Sequence, residues 1–389
     1  MQELKSDYIQ HLKKSFPGLT QHPLESLVAE NLISPFTVEL KSSVLSQAKK
    51  AVALLFSMRE KESYLNHYKD LLAEKGLKDP GNKSIMMSYD FHVDENNNLK
   101  LIEINTNAAF LALGQQMYEM KGHALPVSDF NLDEIKACIV KEMQLQGKNA
   151  DSALKISITD EKPAEQRLFI EFLVYNELFK SWGWNSHIED YRDLFKNFQP
   201  DFIYNRYTDF FLTDESSQNL RTKFLNQDVC LSPNPFEYLL LADKQRLIDW
   251  VQPGFLESQG FTGDDLALLK EVLPLSLDLK PENAEQIWAQ RKSLFFKPKN
   301  AFGSKQSYKG GSISRKTYED ILKADMIAQQ FVAPSEKTFT TPEGPQNFKY
   351  DLRCYAYQGR LQLVVARIYQ GQVTNLRTPY GGFATVLFQ

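Results

Sequence analysis

Between Tyr89 and Gly114 the sequence runs YDFHVDENNNLKLIEINTNAAFLALG, and this stretch restricts the fold more than any other. Phe91 and Val93 alternate with Asp90, His92 and Asp94, and beyond the run Glu95-Asn96-Asn97-Asn98 the residues Ile102 and Ile104 alternate with Glu103 and Asn105. Period-two alternation on both sides of an Asn-rich turn predicts a β-hairpin. Pairing Asp94 with Leu99 sets Asp90 opposite Glu103, with Asn105 next along the same face. Opposed like charges destabilise a ladder unless something neutralises them. Two carboxylates and an amide form an all-oxygen set suited to Mg²⁺ that completes its shell with phosphate and water. The same alternation also describes a solvated polar face, so the hairpin by itself leaves both readings open.

The 389 residues, 42% hydrophobic, suffice for a large buried core and predict two or three domains. A formal charge of -4 provides no basic footprint, so nucleic acid is not an expected partner. Cys138, Cys230 and Cys354 are isolated, odd in number and without C-x-x-C spacing, which argues against a disulfide framework or a zinc site and fits a reducing cytoplasm. The opening MQELKSDYIQHLKK lacks the apolar segment of a signal peptide, and no run of about 18 apolar residues occurs, so no membrane partner is expected.

Residues 1–80 read as helical, with Val44, Leu45, Ala48, Val52 and Leu55 at helical spacing. Helices are expected again around Tyr118 to Leu125 and near Leu132 to Leu145, before a boundary at Gly147-Lys148-Asn149. A strand at LKISIT, a helix with Leu168, Phe172, Tyr175 and Phe179 on one stripe, and a strand at DFIY then predict a parallel α/β layer. Its last strand runs out into NRYTDFF, which makes Arg206 and Asp209 candidate ligand contacts, because open α/β sheets meet ligands at the carboxyl ends of their strands. From Leu231 the segment SPNPFEY leads into a helix through LLLADKQRLIDW. The strand SLFFKPK then enters a loop with Lys299, Gly303, Ser304, Lys305, Lys309, Gly310 and Gly311, whose glycines and lysines suit phosphate although it has no Walker A order. The last ninety residues are β-rich: Arg353 shares a face with Asp351, and Arg367 and Arg377 lie near strand ends. No G-x-S-x-G, H-E-x-x-H or histidine ligand spacing occurs.

An acid hairpin ending in E-I-N, a strand ending in Lys297-Pro298 before a glycine loop, and a D-x-R strand pair together resemble the ATP-grasp superfamily of carboxylate–amine ligases. In most of those enzymes the lysine strand comes first and the acid hairpin last, whereas here the hairpin comes first, an order that resembles a circular permutation. Within the permuted branch, LIEINTNAAFLALG, FIYNRYTDFF and NLRTPYGGFATV are similar to motifs of eukaryotic-type glutathione synthetases. The resemblance covers roughly residues 86–389. It implies an α/β ATP-grasp fold divided into 1–148 (N-terminal helices plus the permuted part with the hairpin), 149–232 (parallel α/β substrate domain) and 233–389 (ATP-grasp domain with lysine strand, flap and β-rich end). It further implies that Asp90, Glu103 and Asn105 hold Mg²⁺ and that Lys244 and Lys297 contact ATP phosphates under a flap from Gly303 to Gly311 that includes Ser304. Gln330 to Val332 would lie beside adenine and Asp351 beside ribose, Arg206 and Arg377 would bind substrate, and the Gly381-Gly382 loop would close over the second substrate. A homodimer is common in that family. Three departures stand out: Ser88 replaces an arginine, Ala301 stands nearest to where a loop glutamate is expected, and Asn107 and Ala109 replace serines. Ser88 and Asn107 are therefore where this chain's substrate is expected to differ.

The reaction so implied starts with a carboxylate oxygen attacking the γ-phosphorus of ATP and continues with an amine attacking the acyl phosphate, with Arg353 or Arg367 stabilising the oxyanion and Lys297 the transferred charge. The substrates are then a small-molecule carboxylate and amine. Two alternatives stay open: a phosphotransferase on the same fold, and a nucleotide-binding module without catalysis.

Overall fold

The computed structural model describes residues 1–150, 153–299 and 307–389. In chain order the strands are β1 (Ile33–Leu40), β2 (Met87–Val93), β3 (Leu99–Asn105), β4 (Lys155–Asp160), β5 (Asn185–Asp190), β6 (Phe202–Asn205), β7 (Cys230–Ser232), β8 (Ser276–Asp278), β9 (Leu294–Pro298), β10 (Tyr308–Lys309), β11 (Met326–Gln330), β12 (Ser335–Thr341), β13 (Gly344–Tyr357), β14 (Arg360–Tyr369) and β15 (Gly382–Phe388). They form three sheets. The large one runs β1-β15-β14-β13-β2-β3, with β12 also paired to β13. A parallel sheet runs β5-β4-β6-β7, and a small antiparallel sheet runs β10-β9-β11-β8. The fold is mixed α/β, as the alternation of strand and helix patterns indicates. Among the described residues, no helix is long and apolar enough to cross a membrane.

Local chemistry explains how the large sheet is assembled. Asp94 Oδ1 accepts hydrogen bonds from the backbone N–H of Asn96 (2.9 Å) and Asn98 (2.8 Å), and Asn97 takes a left-handed φ of 65°, which closes the β2–β3 turn. Gln358 and Gly359, both at positive φ, make the tight turn between β13 and β14. The sheet also curls. Phe36 of β1 stacks on Phe339 of β12 with ring centroids 4.3 Å apart, and Lys337 reaches Glu39 at 3.6 Å, so two strands distant in the pairing order meet through side chains.

Several expectations need correction. Residues 1–80 are not all helical: β1 lies among them, an edge strand paired in parallel with β15. Pro35 inside it hides the strand from pattern reading, since proline is tolerated in a sheet only where its missing N–H is not needed. The helix expected around Tyr118 to Leu125 is Leu111–Met120. The helix expected through LLLADKQRLIDW is interrupted. A π-turn ends at Ala242, Asp243 is extended, and a new helix runs Gln245–Asp249, with Lys244 at the break.

Two separate apolar cores result. One joins the large and parallel sheets with their helices, including Ser42–Glu60 and Phe169–Ser181. The other is built from Leu279, Ala284, Ile287, Leu294, Phe296, Tyr318, Ile321, Met326 and Ala328, and gives the small sheet its own lobe. The segment between β11 and β12 carries the chain from this lobe back to the large sheet.

Candidate active site

The hairpin meets the expected acid pair by a different route. Near the turn Val93 pairs with Leu99, one residue off the count from Asp94, and a bulge between Asp90 and Phe91 restores the register so that Asp90 faces Glu103. Asn105 Nδ2 lies 3.3 Å from Asp90 Oδ2 and 3.4 Å from Glu103 Oε1, so the three side chains do converge. Across the next pairing, Asp90 stands opposite Arg353 of β13, and Asp351 of β13 stands opposite Arg367 of β14. The face is an alternation of acids and guanidiniums rather than a bare acid cluster.

Asp90 is fully buried and its oxygens are heavily used. Arg353 donates through Nε (2.9 Å) and Nη2 (2.7 Å), Arg367 through Nη2 (3.0 Å), and Ser88 through Oγ (3.1 Å). Burial alone would raise its pKa, but the two guanidiniums and these hydrogen bonds hold it down to about 2. Arg367 Nε also binds Asp351 at 2.6 Å, and Thr374 Oγ1 caps the other oxygen of Asp351. Nη1 of both arginines stays outside these bonds.

Facing this sheet across a cleft of about 500 Å³ are cations from other elements. Lys297, near the end of β9, is buried, and its Nζ donates to Ile102 O at 3.1 Å and Gln329 Oε1 at 2.9 Å. With only neutral acceptors in direct contact, burial pushes its pKa down to about 8 despite the pull of Glu103. Lys244, at the helix break, approaches Glu103 at 3.9 Å. Gln330 and Val332 line the same cleft, and His92 Nδ1 lies 2.8 Å from Val332 O.

The parallel sheet delivers Arg206 and Asp160 to the other end of the cleft, both just past or at the carboxyl end of a strand. Arg206 Nη1 donates to the carbonyl of Asn107, its plane lies near the rings of Phe172 and Tyr204, and its buried Nε has no hydrogen-bond partner among the described residues. Burial raises Asp160 to about 6, against the pull of Arg206. The loop after β3 is clamped at successive backbone groups. Ala108 N–H donates to Met86 O, Ala109 O accepts from Tyr355, and Phe110 N–H donates to Glu171, which leaves the Asn107 side chain lining the cleft. Phe110 holds a φ of 86°, an unusual backbone for a bulky residue.

Other expected residues lie elsewhere. Ser88 is fully buried behind Asp90, not on the cleft wall. Asp209 accepts hydrogen bonds from Asp214 N and Ser217 Oγ and organises its own loop. Gly310 is wedged against the backbone of Arg291 and Leu294, with Gly311 beside Lys292, so neither lines the cleft. Gly381 and Gly382 pack on the backbone of Ile368 and of Asn31–Leu32, and Arg377 is exposed outside the cleft. The carboxylate of Asp351 is occupied by Arg367 and Thr374 rather than left for a ribose. Gly303 and Ser304 fall outside the described residues. The sequence reading passed over His92, Asp160, Arg167, Gln329 and Thr374, all in the cleft wall. Two of them carry a signal, Asp160 as the last residue of a parallel strand and His92 on the polar face it shares with Asp90 in the hairpin alternation.

For a hard cation the donor set fits in part. Glu103 is partly exposed and Asn105 adjoins it, which suits an ion that takes its remaining positions from phosphate and water. Both oxygens of Asp90 are committed to guanidiniums. Among the described residues no group of three or more His, Cys, Asp or Glu is arranged to hold a metal.

No known family profile matches this chain, and no curated protein matches it in sequence. Among solved structures, a Methylobacillus flagellatus KT protein with the provisional name gamma-glutamylcysteine synthetase is 10% identical, with a TM-score of 0.45 over 85% of this chain and 83% of its own. The ATP-grasp ligase PsnB in complex with a minimal precursor is 9% identical, with a TM-score of 0.31 over 61% of this chain and 90% of its own. PsnB complexed with a phosphomimetic variant of that precursor, Mg and ADP gives 11%, 0.30, 61% and 88%. Superpositions this loose bear on neither what this chain binds nor what it does.

Proposed function

We propose that this chain is a nucleotide-dependent enzyme of ATP-grasp organisation, using ATP and Mg²⁺. More particularly, it is a circularly permuted carboxylate–amine ligase of glutathione-synthetase type, with substrates of its own. The observation that carries the reading is the meeting, in one cleft, of Lys297 from the small lobe and Lys244 with Glu103, Asn105, Arg353 and Arg367 of the large sheet. Phosphoryl transfer to a carboxylate needs positioning and charge neutralisation more than a protein nucleophile. Lys297 and Lys244 would hold phosphate oxygens, and Glu103 and Asn105 would hold Mg²⁺, which when bound neutralises charge on the transferring group. Asp90 serves as the counter-charge that fixes Arg353 and Arg367, whose Nη1 atoms take no part in the bonds to Asp90 and Asp351 and would serve an oxyanion. Arg206, Asp160 and Asn107 line the end left for the carboxylate and amine.

The test is ADP release with hydroxylamine as surrogate amine across amino acids, diacids and γ-glutamyl peptides. A hydroxamate is expected. A stable phosphorylated product would instead identify a phosphotransferase. The occupied oxygens of Asp90 and Asp351 favour one further reading, a binding module without catalysis, which requires nucleotide binding with no ADP formed from any acceptor. Glu103→Gln is expected to lower ADP release by about 100-fold or more while leaving the melting temperature unchanged; undiminished turnover would remove Glu103 from the metal.

A further inference from the structure

His92 sits two residues along β2 from Asp90, in the cleft wall beside the crossing from the small lobe. Its partner Val332 O is a carbonyl and can only accept, so Nδ1 must carry the proton of the 2.8 Å bond. In a neutral imidazole that assignment makes Nε2 the acceptor. Nε2 takes no hydrogen bond from any described residue, and the bond at Nδ1 fixes the ring. Around it stand aromatic and charged groups, among them Phe331 with Lys309 Nζ 4.4 Å from its ring centroid. Phe295 and Phe331 lie with ring planes 21° apart and centroids at 6.4 Å, and Ile102 of β3 lines the same cleft. Lys297 follows Phe295 by two residues on β9, which sets the cationic part of the cleft next to this slot.

We infer that His92 reads the base of the bound nucleotide, its Nε2 accepting a hydrogen bond from an exocyclic amine of a planar heterocycle bound in the cleft beside Phe331 and Ile102. The inference rests on the nucleotide reading of the cleft and adds a determinant of base choice to it. A 6-amino purine satisfies Nε2, whereas a 6-oxo purine places a carbonyl oxygen against a lone pair. A site built to pair with a donor rejects a ligand that lacks it.

The experiment measures binding of the β,γ-imido triphosphates of adenosine and inosine, which differ only around the 6-position, by calorimetry at pH 8, where an ordinary imidazole is neutral. Wild type is expected to bind the adenosine form about tenfold more tightly. In His92→Asn the amide can keep the donor to Val332 O but offers no atom at the Nε2 position, and the preference should fall to about one, through loss of adenosine affinity alone. His92→Phe, with its fold checked by circular dichroism, should do the same. Equal binding of both bases by wild type, or an undiminished preference in both variants, overturns the role of His92 and leaves the nucleotide reading standing. Binding of neither triphosphate overturns the nucleotide reading, and this inference with it.

Discussion

Asp90 illustrates how a buried charge is kept and what it does for its neighbours. Removing it leaves Arg353 and Arg367 close together without their shared counter-charge. Asp90→Asn is therefore expected to cost about 3–5 kcal/mol in urea unfolding, the usual loss when one member of a buried ion pair is taken away; a loss below about 1 kcal/mol would show that the arginines find other partners. Acid acts in the same direction. The folded pKa of Asp90 lies below the unfolded value of about 3.9, so its contribution is present above that value and is lost as pH falls toward about 2. Glu171 has the opposite sign. Burial raises it to about 7, against an unfolded value of about 4.3, so its contribution is full below pH 4 and is lost as pH rises to about 7. The melting temperature of Glu171→Gln should accordingly vary less between pH 5 and 8 than that of wild type, and an unchanged slope would mean that another group titrates there.

At the level of elements, the small lobe depends on close backbone approach. A Cβ on Gly310 would lie 2.1 Å from Arg291 O, whereas one on Gly311 would meet nothing nearer than 3.9 Å. Gly310→Ala should lose about 1–3 kcal/mol and Gly311→Ala stay within about 0.5 kcal/mol; equal effects would refute the packing assigned to this turn. The same comparison shows which parts of the fold were legible. Local hydrophobic pattern located β2, β3, β4, β6 and β9, because each carries its own signal in the sequence. The register of the acid hairpin came out right at Asp90 only because a slip at the turn and a bulge offset each other. The bulge has no sequence signal in Asp90-Phe91, nor does the break that turns Lys244 toward Glu103. Asp90's pairing with Arg353 joins residues 263 apart, and no local pattern encodes a partner at that distance.

On the scale of the whole molecule, the described residues form three sheets with two apolar cores around the cleft. Arg167, on the loop after β4, donates to Leu376 O at 2.6 Å, which ties the parallel sheet to the β14–β15 loop. A ligand in the cleft touches both lobes, so a tightly bound triphosphate at about 100 times its dissociation constant should add about 2.7 kcal/mol of stability. Hydrogen exchange should slow in β9 and β11 and in β2 and β3 together. Protection confined to one lobe would locate the ligand outside the cleft.

The distance between Asp90 and Arg353 also sets a schedule for synthesis. At about 5–20 residues per second, roughly 13–50 s pass between the emergence of β2 and that of the strand it pairs with. For that interval the outer edge of β2 is unpaired and Asp90 is a carboxylate whose counter-charges do not yet exist. Until β13 is made, the edge of β2 is open to pairing with any other strand.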